Sequence, residues 1–295
     1  MNREKRFDIF LQRFKQFLRT PFSLAMWVLI RLSAAITAGV FVALVGYILI
    51  KGVPHLSLSL FSPQYNTDNL SLFPALINTL IIAFFSLLIA APLGIFAAIY
   101  LVEYAKRGNK VVGVIRAAAE TLSGVPSIVY GLFGMLFFVV GLGWGISVLA
   151  GAFTLAIMIL PLILRTTEEA LKSVPDMYRE GSFGLGAGKL RTIFRIVLPA
   201  AVPGILSGII LAIGRVVSET AALIYTAGTV AHVPPTPMGS GRTLALHMYA
   251  LSSEGLYTDK AYATAVVLLI LVLFINMLSG YIAKKISKGT VAADG

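Results

Sequence analysis

Apolar runs too long for any soluble core constrain this chain more than anything else in it. Segments 22–50, 73–101, 125–142, 146–164, 200–229 and 262–283 each hold about eighteen or more residues with few charges, enough to cross a bilayer. The bulk figures agree: 58% of residues are hydrophobic, 13% are charged and the mean hydropathy is +0.88, where a soluble domain carries roughly 25% charged residues. Backbone amides in lipid must find partners within their own segment, so every run is predicted helical. The fold class expected is an all-α integral membrane protein with six transmembrane helices.

The charges orient those helices. Segments 1–21, 103–116, 165–195 and 284–288 hold 19 of the 24 Lys and Arg residues. A six-span chain with both termini cytoplasmic places those segments inside, as the positive-inside rule requires. The net charge of +11 is thereby explained, and nucleic acid is excluded as its cause. The expected organisation is a basic cytoplasmic N-terminus (1–21), a first helix and extracytoplasmic loop (22–71), a core of five helices (72–283) and a cytoplasmic tail (284–295), frayed from Gly289. The apolar run after the basic N-terminus has no small-residue cleavage site, so it reads as an uncleaved signal anchor, with Arg31 snorkelling at its inner end. There is no cysteine, hence no disulfide or thiolate metal site. His55, His232 and His247 have no ligand spacing and read as polar loop residues. No catalytic or metal constellation is found. The outside loops 52–71 and 230–260 are polar and equally readable as connectors or as a surface for an extracytoplasmic partner.

Segment 166–199 is the polar exception inside the apolar chain. Thr166 or Thr167 is expected to cap a short helix through Leu171, and Pro175 to open another. Gly184, Gly186 and Gly188 then break it, and helix resumes from Lys189. The spacing from Glu180 through Gly186 to Ile196, Leu198 and Pro199 resembles the EAA loop of ABC-importer permeases, written E-A-A, three residues, G, nine residues, I-x-L-P. Gly181 and Ser182 stand where that pattern has two alanines; both are small, though Gly181 weakens a helix by about 1 kcal/mol relative to Ala. The resemblance implies a loop that docks on a cytoplasmic ATPase and carries its motion into the membrane. The ATPase itself is not here. In FGLGAGKL, Phe183 replaces the first glycine of a P-loop and Leu190 replaces its Ser/Thr, so ATP and Mg²⁺ belong to a partner and this chain takes no cofactor.

The fifth run carries the second signal. Gly204, Gly208 and Ala212 form a small-residue stripe at helical spacing, readable as a close-packed seam or a moving one. Arg215 and Glu219 are four apart, on one face if the helix is continuous. About 24 Å of helix separates Arg215 from Pro199, which places a charge inside the bilayer at a cost of about 2.5–3.5 kcal/mol. Arg215 is expected to present a cation to a crossing anion. Glu219 is expected to hold Arg215 when the anion is absent, with Thr220 and Ser218 as nearby hydroxyl donors.

Around these residues GRVVSETAALIYTAG, SGVPSIVYGLFG (123–134) and GRTLALHMYALSSEG (241–255) resemble the PstA-type permease of the bacterial phosphate ABC importer, from about residue 70 onward. The resemblance implies a multi-pass protein of the bacterial plasma membrane that performs no chemistry of its own. It implies a phosphate pathway past Arg215, Glu219 and Thr220. The implied partners are a second, PstC-type permease, a pair of PstB-type ATPases and an extracytoplasmic PstS-type phosphate-binding protein, all within membrane lipid. A permease for phosphonate, sulfate or molybdate would share the same architecture, and a secondary anion transporter would not need the coupling loop. Asn78 and Thr79, like Asn276, read as interhelical hydrogen-bonding groups, and Glu103 and Glu120 as acids solvated or paired near the cytoplasmic surface.

Overall fold

The structure is a computed structural model that describes residues 21–292 apart from Arg107 and Glu254; the expectations for 1–20 and 293–295 lie outside the described residues. The chain divides between Lys51 and Gly52 into two compact units. The first unit consists of α1 (Pro21–Gly52) up to its last residue, where Arg31 lies 4.6 Å over the Trp27 ring.

The second unit is all helix and turn among its described residues. Short 3-10 turns at Val53–His55 and Leu58–Phe61 lead to α2 (Phe73–Ile99), which runs on through a π turn, Tyr100–Tyr104. Pro74 sits in the first turn of α2, where its missing N–H costs nothing. Then come α3 (Lys110–Ser123), α4 (Ser127–Gly134) with a π turn at Met135–Gly141, and α5 (Val148–Lys172). The side chains of Asn109 and Ser147 cap α3 and α5 by accepting from the N–H groups of Val111 and Ala150. The polar loop holds α6 (Asp176–Gly184) and α7 (Lys189–Thr192); a π turn, Ile193–Val197, joins α7 to α8 (Leu198–Val217). Three further helices follow: α9 (Ala221–Thr226), α10 (Leu244–Ser253) and α11 (Thr258–Ala292). Helix α11 therefore reaches past Gly289.

Helix α5 is the core. Leu155, Ile159 and Ile163 are fully buried and pack with Ile82 of α2, Val216 of α8 and Leu223 of α9. Small residues let the neighbours approach. A Cβ on Gly204 would meet that of Ala170 at 2.6 Å, and one on Gly208 would strike the Thr166 side chain. The small-residue stripe is thus the packing seam of α8 on α5. A Cβ on Gly134 would likewise strike Thr154 of α5 and Thr226 of α9.

Five helices are long and apolar enough to span: 22–55, 73–104, 148–172, 189–217 and 258–281. The expected third span, 125–142, is not a straight one. Helices α3 and α4 together qualify only as a pair bent by 103°. The bend falls at Gly124–Pro126, where Pro126 takes an extended backbone (φ −59°, ψ 142°) ahead of α4. The Tyr130 hydroxyl donates across it to the Leu122 carbonyl at 2.8 Å. No short helix is capped at Thr166 or Thr167, because α5 continues through to Lys172. Thr166 turns its hydroxyl back onto the Leu162 carbonyl (2.9 Å) instead of capping.

Candidate functional site

The expected fifth span, 200–229, is broken. Helix α8 ends at Val217 and α9 begins at Ala221. Between them Ser218 donates to the Gly214 carbonyl (2.8 Å), and Thr220 takes a non-helical conformation (φ −124°, ψ −53°). The Glu219 N–H turns to the Val216 carbonyl (3.2 Å), three residues back instead of four, and the α-helical ladder of α8 stops there. Glu219 is buried, at 9% exposure, and its Oε1 accepts the N–H of Ala222 (3.1 Å). Its carboxylate thus satisfies a backbone group that the break sets free.

That geometry corrects the expected Arg215–Glu219 pair. The two residues do not share a helical face, because the helix stops between them, and no ion pair joins them. Arg215 lies in the last turn of α8, where a cation complements the helix dipole. It is half-buried and has no hydrogen bond or ion pair to any described residue. Tyr130 of α4 is its neighbour within electrostatic reach. Thr220 is half-buried in the break, its carbonyl accepting from Leu223 and Ile224. An unpaired guanidinium beside an unwound piece of membrane helix can receive an anion, and irregular backbone at such depth is tolerated where it is buried in protein or lines a cavity.

At the other end of α8, the polar loop presents an exposed surface. Glu180, Gly181 and Gly186 are exposed. So are Met177 (71%), Leu185 (91%) and Leu190 (63%), large apolar residues in an otherwise polar segment. Gly186 has φ +82° and terminates α6 in a conformation glycine adopts freely. Ser182 faces inward, its hydroxyl bonded to that of Thr192 (2.8 Å), so it ties α6 to α7 rather than facing outward. Ile196, Leu198 and Pro199 are part-buried where the π turn enters α8.

Arg179, which the sequence reading passed over, anchors this loop. Its Nε and Nη2 both reach Glu103 Oε1 (3.1 and 2.8 Å), and it donates to the carbonyls of Leu171 and Val174 (2.9 and 2.8 Å) and to Asp176 (3.1 Å). Arg179 and Glu103 are 14% and 8% exposed. One side chain therefore ties α6 to the end of α5 and to the π turn after α2. The isolated acid Glu103 in a basic segment was the available signal. Beside it, Glu168 forms ion pairs with both Arg116 and Lys172 (N···O 2.7 Å each), and a cleft of about 780 Å³ opens between Glu103, Lys106, Arg116, Lys172, Asp176 and Arg179.

Asn78 and Thr79 join α2 to the segment after α9, not to another membrane helix. Asn78 Nδ2 donates to the carbonyls of His232 (2.9 Å) and Arg242 (3.3 Å), and Thr79 Oγ1 accepts the N–H of Leu244 (2.8 Å). His247, expected in a polar loop, is fully buried on α10. Burial, then the nearby Arg242 charge, push it down to about 3, against a smaller upward pull from the Leu70 backbone, which stays outside hydrogen-bonding geometry.

The family model for the binding-protein-dependent transport system inner membrane component matches residues 90–288. The chain is 37% identical over 284 residues to the probable ABC transporter permease protein YqgI of Bacillus subtilis, covering 88% of this chain and 95% of that protein. It is 34% identical over 253 residues to the phosphate transport system permease protein PstA of Yersinia pestis (80% and 81% covered). It is 36% identical over 220 residues to PstA 2 of Mycobacterium bovis (72% of each). In fold it is similar to a bacterial alginate ABC transporter solved with its pentasaccharide-bound periplasmic protein, with a TM-score of 0.67 over 93% of this chain and 98% of that one, at 17% identity. The chain is a multi-pass plasma-membrane protein without catalysis of its own, and it belongs to the family of binding-protein-dependent transport system inner membrane components.

Proposed function

We propose that this chain is a permease subunit of an ATP-driven phosphate importer and forms half of the translocation pathway. The observation that carries the reading is Arg215, an unpaired cation at the break of a membrane helix, with Glu219 bonded through Oε1 to the backbone of α9 and making no ion pair with it. The names of the PstA relatives support phosphate as the anion. The exposed apolar face around Glu180–Gly186 supports an ATPase partner. In this reading two PstB-type ATPases grip the loop, and ATP and Mg²⁺ act on them alone. A PstC-type permease completes the pathway, and a PstS-type binding protein delivers phosphate from outside. Glu180 and the exposed α6 surface are the handle; Arg179 passes its displacement to α2 and α5, whose movement shifts α8 against the Gly204–Gly208 seam.

The test is phosphate uptake into sealed vesicles that hold the importer purified with its partners. Uptake is expected to require ATP and to fall at least tenfold in Arg215→Lys, which keeps the charge and loses the planar fork. Uptake that persists without ATP, or that sulfate or molybdate blocks better than unlabelled phosphate, refutes the reading.

A further inference from the structure

Seven buried side-chain N and O atoms lack a hydrogen-bond partner among the described residues, and four of them belong to Arg242 (Nε and Nη2) and His247 (Nδ1 and Nε2). Both residues lie under one aromatic ring. The Arg242 guanidinium is 4.8 Å from the Tyr65 ring centre, and the His247 ring meets Tyr65 edge-on at 6.2 Å. Arg242 is only 6% exposed, and no carboxylate pairs with it among the described residues. A buried cation without a partner is costly, and the face of a tyrosine returns only part of that cost. Groups left so expensive in a packed protein call for a partner that this arrangement withholds.

The backbone around Arg242 is not loose. Its N–H donates to the Val230 carbonyl (2.9 Å), and Asn78 holds its carbonyl. Tyr65 sits in a turn between two anchors whose backbone is pinned as well, since Asn66 and Asn69 exchange N–H to Oδ1 bonds (2.9 and 2.7 Å) and Asn69 Nδ2 donates to the Gln64 carbonyl (2.8 Å), so the part able to leave the cation is the side chain. On one side Leu60 is fully buried; on the other Ser71 bonds to the carbonyls of Leu60 and Ser62, and Leu72 to that of Leu60. The anchors hold the ends while the part-buried ring lies across the cation. Leu70, next to the second anchor, has φ +46°, a strained conformation for a residue with a Cβ.

We propose that Arg242 and His247 form a subsite for a protonated oxyanion, inorganic phosphate, at the end of the fold remote from the ATPase-docking loop, with Tyr65 as the group that phosphate displaces. The proposal rests on the phosphate-import reading. The guanidinium offers two parallel N–H donors, the match for two oxygens of an oxyanion. A neutral histidine adds one donor and one lone pair. Phosphate at neutral pH always carries at least one O–H, which the imidazole lone pair can accept. Sulfate carries none and would leave that lone pair unmatched. The subsite therefore favours phosphate where charge alone would not.

The test uses the purified importer in detergent, with thermal unfolding followed as inorganic phosphate or sulfate is added at matched ionic strength. It is run in an Arg215→Gln background, so that the membrane-embedded cation does not contribute. Phosphate is expected to stabilise more than sulfate. Arg242→Gln should weaken the phosphate response at least tenfold, whereas Tyr65→Ala, which uncovers the cation, should tighten it at least threefold. A residue that is merely structural would leave both responses unchanged. If Arg242→Gln fails to fold, Tyr65→Ala still decides: an unaltered phosphate affinity overturns the proposal, as does equal stabilisation by the two anions. Intact ATP-driven uptake with binding insensitive to both substitutions sinks this subsite alone. Wild-type importer that takes up no phosphate sinks the import reading with it.

Discussion

Glu219 gives one oxygen to the Ala222 N–H at the start of α9 and makes no ion pair with Arg215. A spacing of four promises a shared face only while the helix lasts, and α8 ends at Val217, between the two residues. The cap makes a prediction a counter-ion would not. Glu219→Gln keeps an oxygen that accepts the Ala222 N–H and should assemble and unfold like the parent. Glu219→Ala frees that N–H and should cost about 1–3 kcal/mol in denaturation. Equal losses in the two variants would contradict the capping role. His247 was illegible because its burial depends on Tyr65, 182 positions upstream. Its folded value of about 3 lies below the unfolded 6.5, so the unfolded chain takes up the proton first. The stability that its neutrality provides is fully present above pH 6.5 and is lost as pH falls toward 3. Between pH 6.5 and 4, the parent should lose stability more steeply than His247→Gln, by at most about 1.4 kcal/mol per pH unit. Parallel thermal-unfolding curves would contradict that.

At the scale of elements, the spacing of the loop 166–199 was readable and the contacts that hold it were not. Glu180, Gly186 and the Ile196–Pro199 turn fall where the motif demands, because glycine and proline impose their backbone conformations locally. What holds α6 in place is Arg179 on Glu103, 76 residues away, a contact no local pattern contains. Arg179→Met strands a nearly buried carboxylate, which should destabilise by about 3 kcal/mol, and it should disconnect ATP hydrolysis from uptake. The double variant Arg179→Met with Glu103→Gln should recover stability without recovering coupling. Both are read by comparing ATPase rate with uptake in the same vesicles. Gly181 needs no special conformation, and its position has room for a Cβ. Gly181→Ala is therefore expected to stabilise α6 by about 0.5–1 kcal/mol with no loss of coupling, so the glycine is a tolerated departure from the alanine of the motif.

At the scale of the whole molecule, hydropathy marked the membrane helices but ran the fifth past its break after Val217 and gave no sign of the bend before the third, because a window average does not register a change of direction. The 103° bend between α3 and α4 comes from one glycine–valine–proline step whose composition is as apolar as its surroundings. The glycine at the far end of α4 shows how closely the bent pair is fitted. Gly134→Val would drive a side chain into Thr154 and Thr226. That should cost about 3 kcal/mol or more, seen as loss of monodisperse importer in detergent.

The same bend bears on how the chain is made. The stretch from Ser127 to Gly141 is 15 residues, about 22 Å of helix against roughly 30 Å of hydrocarbon. Such a stretch has too little reach to enter a bilayer as an independent span when it leaves the ribosome. Its seat is built from Thr154 and Thr226, residues synthesised later. Helix α4 is therefore expected to reach its final seat only after α5 and α9 have been made, so that assembly of this protein finishes in its middle rather than at its end.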